Sequence, residues 1–243
     1  MPPAYYIYGD KEVIDFYSKL VEALPKSKII LYNFEKLCGY KFSVECVKEL
    51  VKKFPNQIIG VKDSSYNLFE NLKLDNFSMM PGSESKLLKG LEIGCSGIIT
   101  ATCNATASLA RKVYDDFHNG TPQTVNQKLC DIRSVFEKYN LISGLHTFYK
   151  QKENIYENLL PPLRVLDVKS EKELIENLER INFSIKCEPK NPAPPVIKLR
   201  IYIGYLLIYI FVWSVPIGQC TLRFIVGKLG QFGIYFLFGK VFC

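Results

Sequence analysis

The chain of 243 residues is poor in the groups that build metal sites: it has two histidines, His118 and His146, and none of its eight cysteines form a C-x-x-C pair. Structural zinc needs closely spaced thiolates and imidazoles, so no metal centre is expected, and buried thiols in a reducing cytosol account for the cysteines. No G-x-G-x-x-G and no phosphate-binding loop stands between a strand and a helix, which argues against a nucleotide-binding open sheet. No charged-then-apolar leader opens the chain, so secretion has no support and a cytoplasmic location is expected. Acidic residues are also missing from one region, since every Asp and Glu lies at or before Glu188. Six basic residues (Lys190, Lys198, Arg200, Arg223, Lys228 and Lys240) follow it, and the 31 basic residues less these six leave 25 against 24 acidic ones upstream. The net charge of +7 therefore belongs to the tail. With no run of Lys and Arg interleaved with aromatics in the neutral part, nucleic acid is not an expected partner.

What is present alternates. Val13, Ile14, Phe16, Tyr17, Leu20, Val21 and Leu24 fall at helical spacing from Asp10 to a stop at Pro25. Lys28 to Asn33 is an apolar run without alternation, as in a strand buried on both faces of a parallel sheet. Ser43 caps a predicted helix through Lys53, Ile58 to Lys62 reads as a second strand, and Asn67 to Lys73 as a short helix. A third strand over Phe77 to Met80, a helix from about Glu84 to Ile93, a fourth strand over Gly97 to Ala101 and a helix from Ala107 continue the pattern. Such alternation predicts an α/β fold with a parallel sheet, either open and doubly wound or closed as a β/α barrel. Helical patterns from Pro122 to Tyr139 and from Ser170 to Ile181, the latter with a Ser170/Glu173 capping box, form a helical extension.

Past Glu188, Asn191-Pro192-Ala193-Pro194-Pro195 reads as a linker. The uncharged run 201–219 has the length of a membrane span, about 20 residues, though Pro216 and Gly218 interrupt it; 230–238 is short for one. The rival reading of this tail is translation past a mis-called gene end. The expected organisation is thus 1–120 for the β/α part, 121–188 for the helical extension and 189–243 for an apolar basic tail, the only part through which a membrane is a candidate partner.

The chemistry-bearing residues sit at strand ends. Lys62 closes the second strand, where side chains of parallel β/α folds converge on a site, and burial there favours the free amine that attacks a ketone. The bland alternative is a lysine snorkelling out of a strand end. Tyr32 closes the neighbouring strand with a phenol able to move protons. Gly82 and the segment Gly97-Ile98-Ile99-Thr100 end the next two, where exposed backbone amides are able to hold a carboxylate.

Taken together, Tyr32-Asn33-Phe34, Gly60-Val61-Lys62-Asp63-Ser64, Pro81-Gly82-Ser83 and Gly97 through Asn104 resemble the dihydrodipicolinate synthase / N-acetylneuraminate lyase family. Pro3-Ala4-Tyr5-Tyr6 and Leu160-Pro161-Pro162-Leu163 extend the resemblance over about the first 185 residues. It implies a (β/α)8 TIM-barrel type truncated to roughly its second half, with C-terminal helices. Lys62 is then the residue that forms an imine with pyruvate or another 2-oxo acid, Tyr32 the proton-transferring phenol, and Tyr6 a second tyrosine lent across a contact in a homo-oligomer. Gly82 and Ile99 line the pyruvate end, with Asn33 as a further substrate contact. Where the family's tyrosine motif continues with proline, and in synthases with an arginine two residues on, this chain has Glu35 and Leu37. Without that charge clamp a sugar-acid or hydroxy-oxo-acid aldolase is favoured over dihydrodipicolinate synthesis. The resemblance begins at the close of the family's fourth strand, so the paired-threonine loop after the second strand has no counterpart and a truncated, catalytically inactive chain is the alternative.

Overall fold

The computed structural model describes residues 1–184 and, as backbone only, the strand segments 196–203, 206–213, 221–222, 225–226 and 240–242. Two compact units divide the chain, Met1–Ile98 and Ile99–Cys243.

In the first unit the expected alternation is realised. Helix α1 (Asp10–Ala23) turns Val13, Ile14, Tyr17 and Val21 inward, and at its start the Gly9 N–H donates to the Glu12 carboxylate at 2.9 Å. Strand β1 (Ile29–Asn33) is followed by a single turn, α2 (Glu35–Cys38), and then by α3 (Val44–Lys53). The Ser43 hydroxyl caps α3 by accepting from the Cys46 N–H at 2.9 Å. Strands β2 (Ile58–Asp63) and β3 (Ser78–Pro81) come next, then a 3-10 turn over Glu84–Lys86 and the short helix α4 (Leu87–Glu92). The three strands pair in the order β1-β2-β3, all parallel. Gly60 allows β2 and β3 to meet, because a Cβ there would lie 2.6 Å from the Ser78 carbonyl oxygen. Leu31 and Val61 on the sheet pack with Val47 and Leu50 of α3 and with Phe42 and Leu68, each with no exposed surface. Each such side chain contributes about 1.5–3 kcal/mol of burial.

The helix expected over Asn67 to Lys73 does not form; the chain there makes turns. The buried Asp63 carboxylate holds the first part of this segment, accepting the N–H groups of Tyr66, Leu68 and Phe69 at 2.9, 2.9 and 3.0 Å.

The second unit begins with β4 (Ile99–Thr100), which is shorter than the strand expected over 97–101. It is not a fourth parallel strand: it pairs antiparallel with β9 (Lys240–Phe242), and β9 with β7 (Thr221–Leu222). Four helices follow, α5 (Cys103–His118), α6 (Asn126–Phe136), α7 (Leu141–Lys150) and α8 (Val168–Arg180). Ile132, Phe136, Leu145, Phe148, Leu174 and Leu178 form their core. Arg133 of α6 links β4 to the helices of this unit. Its buried guanidinium donates to the hydroxyls of Thr100 at 2.7 Å and Thr102 at 3.1 Å and so ties β4 and the start of α5 to the helices.

Helix α7 was not anticipated, although Asn140 caps it through the Ile142 and Ser143 N–H groups. Helix α8 is capped three residues before the expected position: the Asp167 carboxylate, and not Ser170, accepts from the Lys169 and Ser170 N–H groups. Within the apolar run 201–219 the described residues belong to two antiparallel strands, β5 (Val196–Ile203) and β6 (Leu206–Trp213), with β8 (Ile225–Val226) beside β6. Among the described residues no helix is long and apolar enough to cross a membrane. The linker expected over 191–195 and the segment 230–238 lie outside the described residues.

Candidate active site

At the carboxyl end of the parallel sheet, register decides which side chains meet. Tyr32 is paired with Lys62 and Asn33 with Asp63 across β1 and β2, while Lys62 and Asp63 face Met80 and Pro81 of β3. Because neighbours along a strand point to opposite faces, Tyr32 and Lys62 share one face and Asn33 and Asp63 the other. The two faces differ in character. Asn33 and Asp63 are fully buried, whereas Tyr32 and Lys62 are half-buried. The Lys62 Nζ lies 4.0 Å from the centroid of the Tyr32 ring, inside the range in which a cation and an aromatic face attract.

Burial pushes the Tyr32 phenol above its ordinary range, a hydrogen bond with the Ser64 side chain opposes this, and the nearby Tyr66 adds to it. Ser64 is held by its own N–H, which donates to the Asn33 carbonyl at 2.9 Å, and the Gly82 N–H donates likewise to the Asp63 carbonyl at 2.9 Å. A side chain at Gly82 would collide with Ser64, since its Cβ would lie 2.1 Å from the Ser64 Oγ and 3.1 Å from the Ser64 Cα. Gly82 therefore admits the hydroxyl that bonds to Tyr32.

Asn33, expected as a substrate contact, is buried and turned to the other face of the sheet. Its amide donates to Asp63 and to Asn67, both at 2.8 Å, and its oxygen accepts from the Phe42 N–H at 3.1 Å. Tyr6 is 73% exposed, between Tyr5 and Ile7 at 91% and 104%, and its ring meets Tyr5 edge-on at 5.0 Å. Ile99 is buried in the second unit. Leu37, at the position of the synthase arginine, is 55% exposed, and Glu35 pairs with Lys41 at 2.9 Å on the surface. Among the described residues no cluster of three or more His, Cys, Asp or Glu is placed to hold a metal ion.

The sequence pointed to Tyr32 and Lys62. It did not single out Ser64 as the partner of Tyr32, nor Asp63 and Asn67 as the polar scaffold beneath them. The available signal was an Asp-Ser-Ser-Tyr-Asn run at a strand end, since Asp and Asn in such turns bind nearby backbone N–H groups.

An amine and a phenol side by side at the carboxyl ends of adjacent parallel strands place the first unit among the α/β proteins whose sites form at strand ends. The chain belongs to the Dihydrodipicolinate synthetase family, whose profile matches residues 1–181. It is 29% identical over 171 residues to a 2-dehydro-3-deoxy-D-gluconate/2-dehydro-3-deoxy-phosphogluconate aldolase of Picrophilus torridus, covering 67% of this chain and 63% of the relative. Among solved structures it is similar to a catalytic-lysine mutant of the Ruminococcus gnavus sialic acid aldolase, with a TM-score of 0.64, 21% identity and coverage of 74% of this chain and 62% of the other. It is similar also to YagE, a prophage protein of the dihydrodipicolinic acid synthase family from E. coli K12 in complex with pyruvate, with a TM-score of 0.62, 21% identity and coverage of 74% and 64%. The chain thus spans less than two thirds of the length of each.

Proposed function

We propose that this chain carries the imine-forming part of a pyruvate-dependent aldolase or lyase, with Lys62 as the amine and Tyr32 as the proton-transferring group. The observation that carries the reading is the juxtaposition of the two, in register on adjacent strands with the Lys62 Nζ 4.0 Å from the Tyr32 ring centroid. In the cleavage direction the Lys62 amine adds to the 2-oxo carbon of the substrate and water leaves, giving a protonated imine. Tyr32, as its phenolate, accepts the proton of the C4 hydroxyl as the C3–C4 bond breaks. The C3–C4 bonding pair becomes the C2=C3 double bond of an enamine, the imine π pair goes to nitrogen, and an aldehyde departs. The Tyr32 phenol returns its proton to C3 of the enamine, and hydrolysis releases pyruvate and the free amine. The residues named for this sequence supply a nucleophile and a proton carrier and call on no metal or organic cofactor.

A 2-keto-3-deoxy sugar acid or a hydroxy-oxo acid is the substrate class in this proposal. Leu37 offers no charge clamp for a second carboxylate, and the relatives from Picrophilus torridus and Ruminococcus gnavus bear the names of sugar-acid aldolases. Described elements of the first unit correspond in this reading to part of a β/α barrel. The exposed Tyr5, Tyr6 and Ile7 form a surface for a second copy, through which Tyr6 reaches a neighbouring site. Borohydride reduction in the presence of pyruvate, read by mass spectrometry, tests the imine. A covalent adduct on Lys62, absent in Lys62→Ala, is expected. An unchanged mass for the folded chain would refute lysine-imine chemistry and leave the chain a non-catalytic member of its family.

A further inference from the structure

One strained residue stands beside the site. Tyr66 adopts a left-handed backbone, with φ 59°, a conformation that disfavours a residue with a side chain. It is held there by the buried Asp63 carboxylate, which accepts the Tyr66 N–H at 2.9 Å. The result is an aromatic ring fixed at the strand-end rim, edge-on to the Phe69 ring at 6.2 Å and near enough to Tyr32 to influence its titration.

Across the Tyr66 ring lies a cation, the Lys86 Nζ, 5.7 Å from the ring centroid. Lys86 closes the 3-10 turn that leaves β3, and β3 ends at Pro81 opposite Asp63, so Lys86 rises from the same rim as Lys62. Every other lysine of this unit apart from Lys62 is exposed, and two of those pair with acids, Lys89 with Glu70 and Lys41 with Glu35. Lys86 has no carboxylate partner among the described residues, and it is half-buried. A half-buried ammonium without a counter-ion, beside an aromatic wall and on the rim of a site that handles oxo acids, lacks an anion.

We propose that Lys86, with Tyr66 as its wall, forms a subsite for a phosphate at the far end of the substrate held by Lys62. A lysine is a compact point charge suited to a phosphate dianion, and the exposed Leu37 across the sheet offers no competing cation. The subsite deepens the aldolase reading and rests on it only for what the phosphate is attached to.

Binding is therefore read first without turnover, by calorimetric titration of sn-glycerol 3-phosphate into the full chain, with glycerol as the neutral control. Lys86→Gln is expected to weaken binding about tenfold, the size of one charge-assisted contact, while Lys86→Arg retains it. In condensation of pyruvate with D-glyceraldehyde 3-phosphate, Lys86→Gln raises KM by a similar factor with kcat unchanged, and leaves D-glyceraldehyde kinetics alone. No binding of glycerol 3-phosphate to the wild type, or equal binding to Lys86→Gln, overturns the subsite whether or not an imine forms. Failure of the pyruvate adduct alone overturns the imine and not the subsite.

Discussion

Substituting Gly82 by alanine probes the link between packing and proton chemistry at this site. The new Cβ would stand 2.1 Å from the Ser64 Oγ, 3.0 Å from its Cβ and 3.1 Å from its Cα, against an ordinary contact of about 3.5–4.0 Å. Rotation of the Ser64 hydroxyl relieves the first overlap but not the other two, so overpacking is expected to cost about 1–3 kcal/mol. Rotation also breaks the hydrogen bond that holds the Tyr32 phenol down against the effect of burial. Two readouts follow. In urea unfolding, Gly82→Ala destabilises, and in a Ser64→Ala background it destabilises less, because the closest atom is gone; the coupling is expected at about 1 kcal/mol. In the pH dependence of kcat/KM for condensation, the direction in which Tyr32 must be protonated to give its proton to the new hydroxyl, the alkaline limb moves to higher pH in both Gly82→Ala and Ser64→Ala, because each removes the group that favours the ionised phenol. Additivity of the two substitutions within about 0.5 kcal/mol, or an alkaline limb that stays in place, would refute the reasoning.

Two further outcomes concern the scaffold. Asp63→Ala removes a buried acceptor of three backbone N–H groups and of the Asn33 amide, so a loss of about 3 kcal/mol or more is expected in urea unfolding; a loss under about 1 kcal/mol, the size of a single neutral hydrogen bond, would show the turn to be held by other means. Burial pushes the thiols of Cys46 and Cys95 up to about 11. A thiol whose folded value is raised contributes stability that is whole below the unfolded value of about 8.5 and lost as pH rises from there through about 11. Urea midpoints are therefore expected to fall between pH 8 and pH 10.5 and to fall less in Cys46→Ala with Cys95→Ala; an equal fall in both chains contradicts the assignment.

Residue patterns alone determined the elements whose signal is local. The helical spacing of Val13, Ile14, Tyr17 and Val21, the Ser43 cap and the unbroken apolar runs of β1 and β2 are each written within a few neighbouring positions, and the structure follows them. Lys62 and Tyr32 were legible for the same reason, since a strand end is a local feature. Where side chains fix the chain between elements, local pattern misleads. The Asp63 carboxylate holds the chain after β2, and Arg133, more than thirty positions away, draws β4 to the helices through the Thr100 and Thr102 hydroxyls. Only the tertiary structure decided that Tyr32 stands opposite Lys62, that Ser64 fits because Gly82 has no side chain, and that Asn33 faces inward to Asp63 and Asn67. These are contacts between residues about 18 to 34 positions apart, set by strand register and close packing, and neither quantity is carried by any one segment of the chain.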